Sequence, residues 1–253
     1  MSTGAGERSR GGNAQLPSSG PARRAGLFLV FEGVEGSGKT TQAALLADWL
    51  SARGIPHVLT REPGGTAVGE EIRRLVLHQR HEVPARTELM LVLAARAAFV
   101  HEIVRPALQR GEVVVADRYE LSTLAYQGYG RGLPLDEVRA TNAVATGGLR
   151  PDLTLVLDVS AADGAARRHA AGLERDRIEG AGAAFHAQVA EAYHLLAGSE
   201  AGVERVAGGG AVAVVRAEVM RLLGAHFPET FAGSGVIDQT AAGDFMQRRL
   251  EDG

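Results

Sequence analysis

Residues 27–41 read LFLVFEGVEGSGKTT, and this stretch predicts both local structure and a binding loop. Leu27–Phe31 is a continuous apolar run that ends at Glu32 and a glycine, as expected of a strand buried on both faces. Residues 33–40 match the pattern G-x-x-x-x-G-K-S/T in full. Its glycines let backbone N–H groups converge on anionic oxygens, and the following helix adds partial positive charge. The stretch therefore predicts strand, loop and helix around a nucleoside triphosphate.

Lys39 is the only lysine of the chain, and all its other basic residues are arginines. The alternative is a glycine-rich turn that happens to contain this lysine. Independent draws from the composition would produce the full pattern around one lysine roughly once in several hundred cases, which favours the phosphate loop. The lysine places a compact cation on the β- and γ-phosphates, and the hydroxyl after it can ligate Mg²⁺. The predicted triphosphate-binding residues are Gly33, Val34, Glu35, Gly36, Ser37, Gly38, Lys39, Thr40 and Thr41.

Strands alternate with longer helices along the rest of the chain. Apolar runs predict four further strands, at His57–Thr60, Glu112–Ala116, Leu153–Asp158 and Val203–Val206. This alternation predicts an α/β fold with a parallel five-stranded sheet and helices on both faces. We expect one domain at 26–226, preceded by a disordered leader at 1–25 and followed by a C-terminal tail at 227–253. The leader is too polar to offset the entropy of ordering.

Composition excludes several functional classes. The net charge of −3 gives no long-range attraction to nucleic acid or to an acidic membrane. No apolar run is long enough to span a bilayer, and without cysteine neither a disulfide nor a thiolate metal site can form. We expect a cytoplasmic protein whose partners are small-molecule nucleotides, with no nucleic-acid or membrane partner.

Further segments follow the phosphate loop in a fixed order. They are TREPGGT at 60–66, TEL through AAR at 87–96, DRYELSTLAYQG at 117–128, PDLTLVLDV at 151–159 and DRIE at 176–179. With FEGVEGSGKTTQ at 31–42, they resemble bacterial thymidylate kinases over about Leu27 to Leu223. The resemblance implies a P-loop nucleoside monophosphate kinase fold with a small lid. It also implies transfer of the γ-phosphoryl group of ATP to dTMP, a requirement for Mg²⁺, and a homodimer formed through helices beside the acceptor site.

Cations are expected on both phosphates, because phosphoryl transfer depends on positioning and charge neutralisation. Any single arginine could instead be a solvated surface residue. The resemblance implies that Glu35 lies near the acceptor's 3′-hydroxyl and the phosphoryl path, and that Arg118 contacts the acceptor phosphate. The expected catalytic residues are Glu35, Lys39, Arg118 and a lid arginine, for which Arg175 is the candidate.

The acceptor site is expected to draw residues from several segments. The resemblance implies that Arg96 reaches a pyrimidine carbonyl and that Tyr126 crowds the sugar 2′ position. Thr123 and Gln127 are one helical turn apart and are expected to face the polar edge of the base. Glu62-Pro63 is expected to form a rigid turn beneath the acceptor, and the peptide bond between these two residues can be cis. The full predicted acceptor set is Glu62, Pro63, Arg73, Val92, Arg96, Arg118, Thr123, Tyr126 and Gln127.

Asp117 closes a predicted strand, where its carboxylate can hold Mg²⁺ together with Thr40. Capping the following helix is the competing role. The predicted lid, at about 165–180, contains Arg167, Arg168, Arg175 and Arg177. Because the loop carries Ser37 and not arginine, the resemblance implies the family subtype in which the lid supplies the extra charge. The lid spacing is disturbed, so which arginine reaches the γ-phosphate stays open.

Val92 departs from the family pattern, in which a phenylalanine four residues before Arg96 stacks on thymine. An aliphatic side chain loses the aromatic face, at about 0.5–1.5 kcal/mol. The expected function is therefore dTMP phosphorylation, with two alternatives. One is a kinase for a different or modified pyrimidine monophosphate, and the other is a catalytically weak nucleotide-binding homologue.

Overall fold

The computed structural model describes residues 26–78, 82–172 and 176–231. The predicted leader, the tail from residue 232 onward and the candidate catalytic residue Arg175 lie outside the described residues.

Five parallel strands form one sheet in the order β2-β3-β1-β4-β5. They are β1 Leu27–Glu32, β2 His57–Arg61, β3 Val113–Asp117, β4 Leu153–Asp158 and β5 Val203–Ala207. In the central strand, Phe31 is paired with Asp117 of β3 and with Leu155 of β4. The residues that follow these strands therefore meet at one edge of the sheet. The predicted parallel five-stranded sheet is confirmed.

Helices cover both faces of the sheet, as predicted. They are α1 Lys39–Ala52, α2 Ala67–His78, α3 Ala85–Phe99, α4 Arg105–Gln109, α5 Glu120–Thr123, α6 Leu135–Thr146, α7 Ala161–Ala170, α8 Ala183–Ser199, α9 Val212–His226 and α10 Pro228–Phe231. Leu29 and Phe31 of β1 pack on α1 and α9, whereas Phe28 and Val30 face Phe99 at the end of α3. The alternation of side chains along the buried strand thus fills two separate cores.

Two boundaries differ from the predicted ones. The apolar pattern over Arg86–Gln109 predicts helix with a kink or late break at Pro106, but a π-helical turn at Val100–Val104 divides this segment into α3 and α4 just before the proline. At the other end, Phe231 of α10 is fully buried and its ring stacks on Trp49 at 5.3 Å. The packed domain therefore extends past residue 226, where the tail was expected to begin.

Candidate active site

A cleft of about 1300 Å³ opens at the carboxyl ends of the strands. Most of the predicted site residues line it: Glu35, Gly36, Ser37, Gly38, Lys39, Thr40, Thr41, Glu62, Pro63, Arg73, Val92, Arg96, Asp117, Arg118, Thr123, Tyr126, Gln127, Arg167 and Arg168. Residues that are far apart in sequence are brought together because they follow neighbouring parallel strands. The phosphate loop forms one end of this cleft, which we call the donor end. The opposite side, around Arg96, is the acceptor end.

The phosphate loop (residues 33–40) turns through three glycines with positive φ angles, 135° at Gly33, 73° at Gly36 and 98° at Gly38. Residues with a Cβ rarely adopt such angles. Lys39 begins α1 and is 5% exposed. Its Nζ donates to two carbonyl oxygens of the loop, at 3.1 and 2.7 Å. Burial and the nearby Arg118 lower the pKa of Lys39 to about 8, so it remains a cation at neutral pH.

A backbone contact joins the loop to α7, which carries two of the predicted lid arginines. A Cβ on Gly36 would lie 2.2 Å from the carbonyl oxygen of Gly164, and a Cβ on Gly164 would lie 2.2 Å from that of Glu35. Gly164 was not predicted to belong to the site. The sequence did contain a signal for it, a glycine inside a helix. Such a glycine destabilises the helix by about 1 kcal/mol relative to alanine and is expected where another backbone segment approaches closely.

Arg118 has a φ of 77° and is the one non-glycine residue of the described ranges with a positive φ. Such backbone strain costs about 1–3 kcal/mol and persists where the surroundings fix it. Its guanidinium donates to Glu35 Oε1 at 2.5 Å and to the hydroxyls of Ser122, Tyr126 and Tyr193 at 3.0, 3.3 and 3.1 Å. The arginine predicted to contact the acceptor phosphate is thus held rigidly beside the loop.

Glu35 lies among cations. Burial alone would raise its pKa, but Arg118, Lys39 and Arg168 lower it to about 2. The Arg168 guanidinium lies 3.9 Å from Glu35 Oε2. Glu35 is therefore a carboxylate at neutral pH and joins three positive groups at the donor end.

Glu32 and Tyr193 are site residues that the sequence did not predict. The fully buried Glu32 accepts hydrogen bonds from the backbone N–H groups of Tyr119 and Ser122 and from the Tyr193 hydroxyl, at 2.7, 3.0 and 2.9 Å. It thereby caps α5 and holds the tyrosine that supports Arg118. A carboxylate at the end of a wholly buried strand was a signal for Glu32. Nothing local marked Tyr193, because its contacts come from remote segments.

Thr40 and Asp117, the two predicted metal residues, are adjacent. The Thr40 hydroxyl donates to Asp117 Oδ2 at 2.5 Å. The competing role of Asp117 as a helix cap is wrong, because α5 begins at Glu120 and the first N–H groups bond to Glu32. A hydroxyl and a carboxylate at the mouth of a phosphate loop are the hard oxygen ligands that Mg²⁺ prefers.

Arg96 and Glu62 form a buried ion pair at the acceptor end, with exposed side-chain fractions of 1% and 2%. Arg96 Nε donates to Glu62 Oε2 at 2.8 Å, and its NH1 group donates to Thr123 Oγ1 at 2.7 Å. Further bonds to Asn142 and to the Tyr119 carbonyl occupy four of the five guanidinium N–H groups. Burial raises the pKa of Glu62 to about 7 although Arg96 opposes the rise. The Glu62-Pro63 peptide bond is cis.

The apolar wall of the acceptor end is made by Val92, packed with Ile72 and Val76 of α2 and with Ile178. Beside it, Gln127 Nε2 donates to Glu88 at 2.8 Å. Arg73 donates to the Pro63 carbonyl at 2.9 Å. All the predicted acceptor residues therefore border one space.

The described lid arginines point to three different places. Arg168 approaches Glu35, while Arg167 donates to the Gly208 carbonyl at 3.0 Å, in the loop before α9. Arg177 does not line the cleft, and it donates to Glu88 Oε2 at 2.6 Å and to the Val76 carbonyl at 2.8 Å. Arg177 thus anchors the C-terminal part of the predicted lid to the helices beside the acceptor end.

Comparison with known proteins identifies the family. A model of the family described as Thymidylate kinase matches residues 31–216, more than half of the chain. The chain belongs to the thymidylate kinase family. The thymidylate kinase of Roseiflexus sp. (strain RS-1) is 54% identical over 156 residues, which are 61% of this chain and 66% of that relative. That of Trichormus variabilis is 44% identical over 207 residues, which are 81% of this chain and 98% of the relative.

A solved structure agrees with this family assignment. The crystal structure of thymidylate kinase from Ehrlichia chaffeensis is similar with a TM-score of 0.62 and 30% sequence identity, and the match covers 79% of this chain and 99% of that one. The resemblance inferred from the ordered motifs and the predicted P-loop kinase fold are both confirmed.

Within the ranges 26–78, 82–172 and 176–231, no helix has the length and apolar character needed to cross a membrane. The same ranges contain no group of three or more His, Cys, Asp or Glu side chains placed to hold a metal ion.

Proposed function

We propose that this chain transfers the γ-phosphoryl group of ATP to dTMP and yields dTDP and ADP. The observation that carries the proposal is a single cleft with a phosphate loop at one end and the buried Arg96 frame at the other, joined by Arg118 and Glu35. This arrangement suits two nucleotides whose phosphates meet in the middle. The activity is the one named for the relatives that match the chain.

At the donor end, the backbone of residues 33–40 would hold the β- and γ-phosphates and Lys39 would neutralise them. Lys39 bonds to two carbonyls of its own loop, and phosphate oxygens are stronger partners for an ammonium group. Glu35 would keep Arg118 and Arg168 converged on the phosphoryl path, because it contacts both guanidinium groups. Arg168 is the described lid arginine that best fits the extra positive charge.

Arg118, which reaches from the donor end, would bind the phosphate of dTMP together with Arg73. The base would lie at the acceptor end, against Val92, Thr123, Gln127 and Arg96. The acceptor phosphate is itself the nucleophile and is largely ionised at neutral pH, since its second pKa is about 6. The reaction therefore needs no protein base and no covalent intermediate. The protein contributes orientation and charge neutralisation.

Mg²⁺ fits the oxygens of Thr40 and Asp117, which lie together beside Lys39. When bound, the ion would neutralise charge on the β- and γ-phosphates. The chain's own contribution is to keep these two oxygens adjacent through the pairing of β1 with β3, which sets Phe31 opposite Asp117.

A homodimer and a cytoplasmic location complete the proposal. Val68 and Leu75 of α2 and Met90 of α3 expose 52%, 43% and 54% of their surface on two helices that pack against each other beside the acceptor end. Exposed apolar side chains on neighbouring helices favour contact with a second copy. Sedimentation velocity tests this, and a monomer at micromolar concentration would refute it. The absence of cysteine agrees with a cytoplasmic location.

A coupled assay of ADP release tests the activity across dTMP, dUMP, dCMP and the purine monophosphates. We expect turnover with dTMP above all others. No turnover with any pyrimidine monophosphate would refute the proposal and favour a catalytically weak nucleotide-binding homologue. One observation favours a second candidate, a modified pyrimidine monophosphate: the base wall carries Val92, whose side chain is smaller than the phenylalanine usual in the family. A clear preference for a 5-substituted analogue over dTMP would support it.

A further inference from the structure

Glu88 lies in the first turn of α3 and none of its side chain is exposed. Its carboxylate accepts hydrogen bonds from Gln127 Nε2 at 2.8 Å, from Arg177 NH2 at 2.6 Å and from Arg131 NH2 at 3.2 Å. Burial opposes the charge, but these three donors lower the pKa of Glu88. Glu88 is therefore ionised at neutral pH and can only accept hydrogen bonds.

An acceptor-only partner fixes the orientation of the Gln127 amide. The amide has a donor end and an acceptor end, and an ionised carboxylate can bond only to the NH₂ group. Gln127 lines the cleft, whereas Glu88 does not. The carbonyl oxygen, at the end of the amide away from Glu88, is thus the polar atom that Gln127 presents to the cleft.

Two hydrogen-bond donors line the same cleft as this oxygen. An arginine can only donate, so the Thr123 hydroxyl accepts from Arg96 at 2.7 Å and keeps its own hydrogen to donate. One N–H of Arg96 has no acceptor among the described residues, and its side chain borders the cleft. The acceptor end therefore offers donors from Thr123 and Arg96 and an acceptor from Gln127.

This pattern complements one class of pyrimidine. Uracil and thymine carry a hydrogen on N3 between two carbonyl oxygens, so their edge reads acceptor, donor, acceptor. Cytosine carries a lone pair on N3 and an amino group in place of one carbonyl. Against the Gln127 oxygen, the cytosine lone pair would be repelled.

We propose that Glu88 is a positioning residue that determines base specificity. By holding the Gln127 amide with its oxygen toward the cleft, it selects acceptor bases that carry N3–H over cytosine-type bases. This inference rests on the proposed function, because it assumes that the base of the acceptor monophosphate lies at this end of the cleft.

The kinetic test compares kcat/KM for dTMP and dCMP at saturating ATP in the wild-type chain and in Glu88→Gln. A glutamine at position 88 can donate as well as accept, which frees the Gln127 amide to rotate. We expect the preference for dTMP over dCMP to fall by about tenfold or more, while the KM for ATP stays unchanged. An unchanged preference would overturn the proposal, because a merely structural role would lower both activities alike.

Two matched variants sharpen this result. Arg131→Gln removes another partner of the same carboxylate but leaves Gln127 in place, so its dTMP preference should stay within about twofold of wild type. An equal fall in Arg131→Gln would overturn the proposal. In a Gln127→Leu background the Glu88→Gln change should have no further effect on the preference, because its target is gone.

A measurement without turnover separates this inference from the proposed function. We expect the side-chain amide protons of Gln127, assigned by their loss in Gln127→Leu, to exchange slowly with solvent in the wild-type chain. Exchange at the rate of an exposed amide would overturn the role of Glu88, whatever the enzyme phosphorylates. Slow exchange together with no turnover of any pyrimidine monophosphate would instead refute the proposed function alone. The wild-type measurement also stands if Glu88→Gln fails to fold.

Discussion

Two glutamate–arginine pairs lie in the cleft, Glu35–Arg118 at the donor end and Glu62–Arg96 at the acceptor end. Their chemistry is the same, yet the pKa of Glu35 falls to about 2 and that of Glu62 rises to about 7. A third of the Glu35 side chain is exposed, at 33%, and several cations surround it. Glu62 is buried with one strong cationic partner, and its Oε1 has no hydrogen-bond donor among the residues that the structure describes.

The difference separates two uses of an ion pair. The donor-end pair gathers charge where phosphates would enter, so its loss should appear mainly in catalysis. The acceptor-end pair is desolvated, and burial offsets much of its Coulomb attraction. Its loss should appear mainly in stability and in the shape of the base site.

The largest effect is expected at the donor end. Arg118→Gln should lower kcat by about 10³-fold or more, because a phosphoryl-transfer site loses a cation that its geometry holds rigidly. The coupled ADP-release assay measures this. Arg86→Gln is the control, because Arg86 pairs with Glu137 on the surface and 67% of its side chain is exposed. A wild-type kcat in Arg118→Gln would mean that this pair does not serve catalysis.

At the acceptor end, Glu62→Ala should lower the free energy of unfolding by about 3–5 kcal/mol, because it leaves Arg96 buried and uncompensated. Glu62→Gln should cost much less, since an amide oxygen still accepts from Arg96 Nε and resembles the protonated carboxyl. Urea unfolding at pH 7 measures both. Equal losses for the two variants would contradict the description of Glu62 as a group that is near half protonation.

The two glutamates should also respond oppositely to pH. The pKa of Glu62 is about 7 in the fold against 4.5 for an unperturbed glutamate, so its contribution to stability is present below pH 4.5 and is lost as the pH rises through 7. The pKa of Glu35 is about 2 against 4.5, so its contribution is present above pH 4.5 and is lost as the pH falls toward 2.

The free energy of unfolding of the wild type minus that of Glu62→Gln should therefore fall as the pH rises from 5 to 7. The corresponding difference for Glu35→Gln should increase as the pH rises from 3 to 5. Urea titrations at several pH values measure both slopes. Slopes of the same sign would show that burial does not separate the two pairs.

The smallest effect is expected from Val92→Phe, which restores an aromatic face to the base wall. An added aromatic contact of about 0.5–1.5 kcal/mol would lower the KM for dTMP by roughly two- to tenfold. The KM for ATP serves as an internal control and should not change. A higher KM for dTMP would indicate that the space beside Val92 serves a larger base.

The local structure of the donor end could be predicted from the sequence, because the phosphate loop is contiguous and the proposed phosphate contacts come mainly from its backbone. The strand before it and Lys39 at its end were both predictable from local pattern. Gly164 was missed because its role depends on a contact between two segments that meet only in the folded chain.

The acceptor end was predictable only as a set of residues from the family resemblance. Glu88 lies within the recognised TEL segment, but its role depends on Gln127, Arg131 and Arg177, which are remote in sequence. A signal was nevertheless present: Glu88 shares the buried face of α3 with Val92 and Arg96, at i+4 and i+8. A carboxylate on the apolar face of a helix requires buried partners.

The most direct test of the account follows the label of [γ-³²P]ATP in the presence of Mg²⁺ and dTMP, for the wild-type chain and Arg118→Gln. We predict that the wild-type chain transfers the label to dTDP and that the variant does so about 10³-fold more slowly. Label that appears only as inorganic phosphate, or that reaches dTDP equally fast in the variant, would contradict transfer between the two ends of this cleft.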